Sequence, residues 1–159
     1  MEDEILRLST EFREAIRLCA RRIPNDLPTK FRLFPKDMCE FSSNLLGRYL
    51  AENGFKHVRY ILGRRALSCS PGDEMHAWLE IDGIIVDITA DQFPDGLGPV
   101  IVTRDTKWHA RFQVSECRDV VGFERTRGMK DDWDDLYLKV KRHLPSARRI
   151  VETRRNDEE

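Results

Sequence analysis

The dipeptide Asp82-Gly83 restricts this chain more than any other feature of its sequence. Asp-Gly between two runs of strand-forming residues marks a tight hairpin, because both central positions of the favoured turn take positive φ. The flanking runs are 75–81 (Met-His-Ala-Trp-Leu-Glu-Ile) and 84–89 (Ile-Ile-Val-Asp-Ile-Thr). A two-residue turn sets Trp78 opposite Asp87 and His76 opposite Thr89. Side chains that are opposed, or diagonal by two residues, share a face of the sheet. His76 and Asp87 are therefore expected as diagonal neighbours. Asp91 has the same parity and would take the other diagonal if the ladder continued, which makes it the reserve carboxylate.

Before the hairpin, Ile5, Leu8, Phe12, Ile16 and Cys19 recur at steps of three and four, predicting a helix over 3–21 with Cys19 in the core. Pro24, Pro28 and Pro35 with Asn25 and Asp26 predict an irregular connection. A second helix follows, with Asp37 as cap, Glu40 completing a capping-box pair and Asn53-Gly54 as the stop. Phe41, Leu45, Leu46, Tyr49 and Leu50 form its buried face. Cys39 falls in the first turn, where free backbone N–H groups and the helix dipole favour negative charge on a thiol.

The stretch 57–62 reads as a strand, 64–74 as a loop, and 99–103 and 111–114 as short strands. Residues 131–143 read as a helix striped by Trp133, Leu136, Val140 and Leu144, with acids at its start and bases at its end. The whole is expected to be one α+β domain over 1–145 followed by a charged tail over 146–159.

Charge excludes some classes of function. Lys and Arg number 27 against 28 Asp and Glu, a net charge of -1, so no global field favours nucleic acid or anionic lipid. Arg148, Arg149, Arg154 and Arg155 are interrupted by acids and read as a solvated face. No apolar run approaches the roughly 20 residues that cross a bilayer, and the start, Met-Glu-Asp-Glu, is unlike a secretory leader. A cytoplasmic location is expected, with signal-independent secretion as an effector also compatible. Cysteines at 19, 39, 69 and 117 have no CxxC spacing.

A nucleophilic cysteine needs a base, and the base needs an acceptor that fixes its tautomer. Cys39, His76 and Asp87 supply these types in that order. The bland alternative is a packed cysteine and a satisfied strand histidine; three fitting residues on usefully placed elements outweigh it. Cys69, His76 and Asp87 match no recognised metal-ligand spacing, so neither metal nor cofactor is expected. His57, His109 and His143 have no partner signal and are expected to be exposed or structural. Trp78 shares the face of His76, as a wall of the site or as core.

His76-Ala-Trp78 followed by Asp87-Ile-Thr89 resembles the H-A-W and D-P-T signatures of the transglutaminase-like branch of the papain-like cysteine hydrolase superfamily, with Cys39 matching the nucleophile. The resemblance spans about 37–93 and extends to small bacterial papain-fold proteins, some of them toxin domains. Ile88 stands where the family has proline, Met38 and Glu40 flank the cysteine where tryptophan is frequent, and Leu33 stands six residues before Cys39, where papain carries its oxyanion glutamine. The resemblance implies a cysteine-bearing helix packed on an antiparallel sheet. It also implies a Cys39-His76-Asp87 triad working through a thioester on a protein or peptide substrate. Hydrolysis of a peptide or side-chain amide, including glutamine deamidation, is the expected outcome; transamidation, or a catalytically silent binding module, is the alternative.

Overall fold

Amphipathic stripes account for the helices. In the computed structural model, which describes residues 1–27, 29–67, 71–120 and 130–146, α1 (Glu2–Arg22) buries Ile5, Leu8, Phe12, Ile16 and Cys19 along one face. Its first turn holds Glu2, Asp3 and Glu4 and its last Arg21 and Arg22, the polarity that a helix dipole favours. Two 3-10 turns, Pro24–Asp26 and Thr29–Leu33, lead to α2 (Cys39–Glu52), which buries Leu45, Leu46, Tyr49 and Leu50. Phe41 of α2 stacks at 4.8 Å on Trp133 of α3 (Lys130–Lys141). Trp133, Leu136 and Val140, together with Leu144 beyond the helix, close the core as their spacing predicts. Cys69, Pro28 and the arginines of the tail lie outside the described residues.

The strands are β1 (Arg59–Ala66), β2 (Asp73–Ile81), β3 (Ile84–Asp87), β4 (Ile101–Thr103) and β5 (Gln113–Asp119). They form one five-stranded sheet in the order β4-β3-β2-β1-β5, with every neighbouring pair antiparallel. The described residues are thus α+β, three α-helices and an antiparallel sheet. None of these helices is long and apolar enough to cross a membrane.

The hairpin forms as its turn chemistry dictates. Asp82 (φ 50) and Gly83 (φ 75) both adopt the left-handed conformation, and Leu79 pairs with Val86 and Ile81 with Ile84. The ladder ends sooner than expected, because the chain leaves the sheet at Asp87 for a 3-10 turn over Ala90–Gln92. Thr89 therefore does not face His76; its N–H turns back to the Asp87 carboxylate.

Other boundaries also move. β1 starts at Arg59, since His57 takes a left-handed φ of 54, and it runs on to Ala66. Much of the expected loop over 64–74 is therefore strand. Arg65 is tolerated there because its guanidinium lies 4.6 Å over the Phe112 ring and its N–H groups pair with Glu74 and Asp95. β5 begins only at Gln113, because His109–Arg111 form a 3-10 turn.

Strand alternation splits the core in two. Tyr60, Leu62, Ala77, Leu79, Ile84 and Val86 join the core formed with the helices. Ile61, Trp78, Ile85, Ile101, Trp108 and Phe112 form a smaller, aromatic cluster. His76 and Asp87 have the parity of this second set. Gly63, paired with His76, leaves room for the cluster: a Cβ there would stand 2.7 Å from Phe112 Cβ and 3.1 Å from the Trp78 ring. Gly63→Ala is expected to cost about 1–3 kcal/mol by overpacking, read as a lower urea midpoint at unchanged m-value.

Candidate active site

Each of the three expected residues is carried by a different element. Cys39 is the first residue of α2, and the residue before it, Met38, caps without a side-chain hydrogen bond. The expected cap, Asp37, fails because it adopts a left-handed φ of 57, with its N–H held by Gln92 Oε1 at 3.2 Å. Glu40 is drawn away from the backbone as well, accepting from the Tyr60 hydroxyl at 3.3 Å. The first backbone bond closing the helix is Ser42 N–H to Met38 O, at 2.9 Å. The N–H groups of Cys39, Glu40 and Phe41 precede it and have no intrahelical acceptor. The partly buried Cys39 thiol thus sits at an uncapped, electropositive helix end. One turn on, Ser43 Oγ donates to Ala77 O at 3.1 Å, inside the core, and fixes α2 against β2 beside His76.

The diagonal predicted from the hairpin is realised: His76 Nε2 lies 2.6 Å from Asp87 Oδ2, and both side chains are buried. A second histidine, which the sequence reading set aside, shares this oxygen. His109 is also buried, and its Nε2 lies 2.8 Å from Asp87 Oδ2. On the other oxygen, Oδ1, Asp87 accepts the Thr89 N–H at 2.9 Å and faces the Thr89 hydroxyl at 3.4 Å. An ionised carboxylate only accepts, so both imidazoles donate from Nε2. His76 then has Nδ1 as its free nitrogen, and the Cys39 thiol interacts with this ring. No well-aligned partner meets Nδ1 among the described residues.

The charges follow from this geometry. Burial works against a proton on His76, yet the Asp87 carboxylate and then the Cys39 thiol outweigh it and raise the imidazole from 6.5 to about 9. Burial likewise opposes a charge on Asp87, but His76 and His109 hold it well below the usual carboxylate range. Cys19, buried among apolar side chains, is pushed up to about 11.

Aromatic rings enclose the imidazole. Phe93 and Trp108 meet the His76 ring edge-on at 5.0 and 5.6 Å, and Trp78 stacks on it at 5.9 Å. Trp78 is both wall and core. Beside this enclosure opens a cleft of about 470 Å³, lined in part by Asp37, Asp73, Met75, Gln92 and Phe93. Its lining includes the neighbour of His76 and the residue two before Cys39.

The reserve carboxylate does not enter the site. Asp91 lies in the 3-10 turn and is held by Arg13 of α1 at 2.7 and 3.0 Å; Arg13 also donates to the carbonyls of Ile88 and Pro99. The donor atoms of His76, Asp87 and His109 lie within 4.8 Å of one another, close enough for a metal. In this structure both Nε2 atoms lie at hydrogen-bond distance from the single carboxylate oxygen. His57 is exposed, and His143 Nδ1 lies 2.9 Å from Lys139 O.

No family model matches the chain, and neither the curated proteins nor the solved structures yield a match.

Proposed function

We propose that this protein is a thiol-dependent acyl-transfer enzyme of the papain-like, transglutaminase-like kind, hydrolysing a peptide or side-chain amide. The observation that carries the reading is the His76–Asp87 hydrogen bond at 2.6 Å, which leaves Nδ1 as the nitrogen without a partner among the described residues, on a ring whose proton affinity Cys39 also raises.

In this reading His76 takes the thiol proton and the Cys39 sulfur attacks the carbonyl carbon. The free N–H of Cys39 at the helix start is one donor for the oxyanion that forms. The C–N bond then breaks, His76 delivers its proton to the leaving amine, and a thioester remains on Cys39. Water attacks the thioester, its proton passes to His76, and the carboxylic acid departs as the thiol is restored. Asp87 keeps the ring in the tautomer that each transfer needs. Because the imidazolium is the proton donor, turnover is expected to fall as pH rises through about 9.

Alkylation of individual cysteines by iodoacetamide as a function of pH tests the reading. Cys39 is expected to react at pH 6 well beyond a free cysteine, whose pKa is about 8.5. Cys117, which is exposed, and Cys19, which is buried, serve as internal controls. A Cys39 profile that follows the free thiol would turn the assignment towards a silent binding module.

A further inference from the structure

We propose that His109 is a positioning residue of the same site: by donating from Nε2 to Asp87 it keeps the carboxylate aimed and ionised, so that His76 keeps a proton on Nε2 and uses Nδ1 to exchange a proton with Cys39. The inference rests on the thiol chemistry proposed above and extends it to a residue outside the triad.

Three observations carry it. His109 and His76 converge on one oxygen, at 2.8 and 2.6 Å, while Thr89 N–H holds the other at 2.9 Å. Asp87 is therefore gripped from three sides and has no rotation left that keeps its partners. Secondly, His109 Nδ1 is buried without a partner among the described residues. Of its two nitrogens only Nε2 meets an acceptor, so the proton that His109 offers is the one on Nε2, towards Asp87. Thirdly, the surroundings offer Asp87 little other stabilisation. Arg13 of α1 reaches the next carbonyl, that of Ile88, but gives its charge to Asp91. Arg65 of β1 gives its charge to Asp95 and Glu74. From α2 only Cys39 bears on the relay, through His76.

Without His109, burial pushes Asp87 towards its protonated form. A protonated Asp87 donates to His76 Nε2 and so moves the ring proton to Nδ1, the wrong tautomer for accepting from a thiol.

The test combines imidazole nitrogen NMR on histidine-labelled protein with the pH profile of Cys39 alkylation. In the wild type both His76 and His109 are expected to carry a proton on Nε2. A His109 signal with the proton on Nδ1 alone would overturn the inference with no variant required. His109→Phe keeps a ring in the enclosure but removes the donor. It is expected to move His76 towards the Nδ1–H tautomer and to shift the acid limb of Cys39 alkylation upward by about one pH unit, a roughly tenfold loss of rate on that limb. His109→Gln returns an N–H at the position of Nε2 and is expected to restore both readouts. An unchanged tautomer in His109→Phe, or no restoration by Gln in a folded protein, would show that only packing matters. Ordinary wild-type Cys39 reactivity alongside the expected tautomers would count against the thiol chemistry while supporting the role of His109.

Discussion

Asp87→Asn is expected to lower turnover about 10⁴-fold and the stability of the fold by about 3–5 kcal/mol. The side chain keeps its size, so the effect comes from protons alone. Asp87 accepts from two histidines on one oxygen and from Thr89 on the other. An amide must turn its NH2 towards one of these donors. Facing Thr89, it opposes a backbone N–H that cannot move; facing the histidines, it forces both rings to relocate their protons. The two losses have separate readouts, steady-state kinetics and urea denaturation. The charge also leaves a signature in pH. Asp87 is held below its ordinary value of 3.8, so its contribution to stability is fully present above that value and is lost as pH falls through the lower folded one. The Asn variant has no such dependence and should show a flatter stability curve in acid. Equal acid sensitivity in both proteins would mean that other carboxylates govern unfolding.

Cys39→Ala is expected to abolish the acyl-enzyme and to reduce turnover on the order of 10⁶-fold, the scale seen when a nucleophile is removed from a covalent mechanism. The fold should tolerate the change, because Cys39 is only partly buried and the cap of its helix is backbone alone. Incubation with a mixture of peptides and side-chain amides, followed by intact-protein mass spectrometry, reads the result. Wild type should gain the mass of an acyl group on Cys39, and the variant none. If neither protein gains mass while both retain a bound peptide, the chain binds and does not react.

The pairing of His76 with Asp87 was legible because an Asp-Gly turn leaves a hairpin no freedom of register, and a register decides which side chains meet. The same rule stopped working at Asp87, where the strand gives way to a 3-10 turn and Asp91 swings to Arg13. Periodicity found the helices, since their stripes are long. It missed the cap of α2, because Asp37 spends its left-handed geometry on a turn held by Gln92, a contact across 55 residues of sequence. It missed Arg65 as a strand residue, because a charge reads as loop until aromatic faces are found beneath it. His109 had no periodic signal at all. It lies in a one-turn 3-10 helix, 22 residues from Asp87, and the only trace of its setting is the aromatic grouping of Trp108 and Phe112 around it.

Arg13 ties the first helix to the turn that follows Asp87. Its guanidinium holds the carbonyl that directly follows the acid, the carboxylate of the turn beyond, and the chain where it re-enters the sheet. The direction of Asp87 is thereby conditional on Arg13, which lies 75 residues before Ile88 in the chain. A copy whose first helix is trimmed or undocked keeps its hairpin, since Asp82-Gly83 and the strand pairs are local, but its acid loses a fixed backbone. The placement of Asp87 thus depends on the docking of the first helix as well as on the three residues themselves.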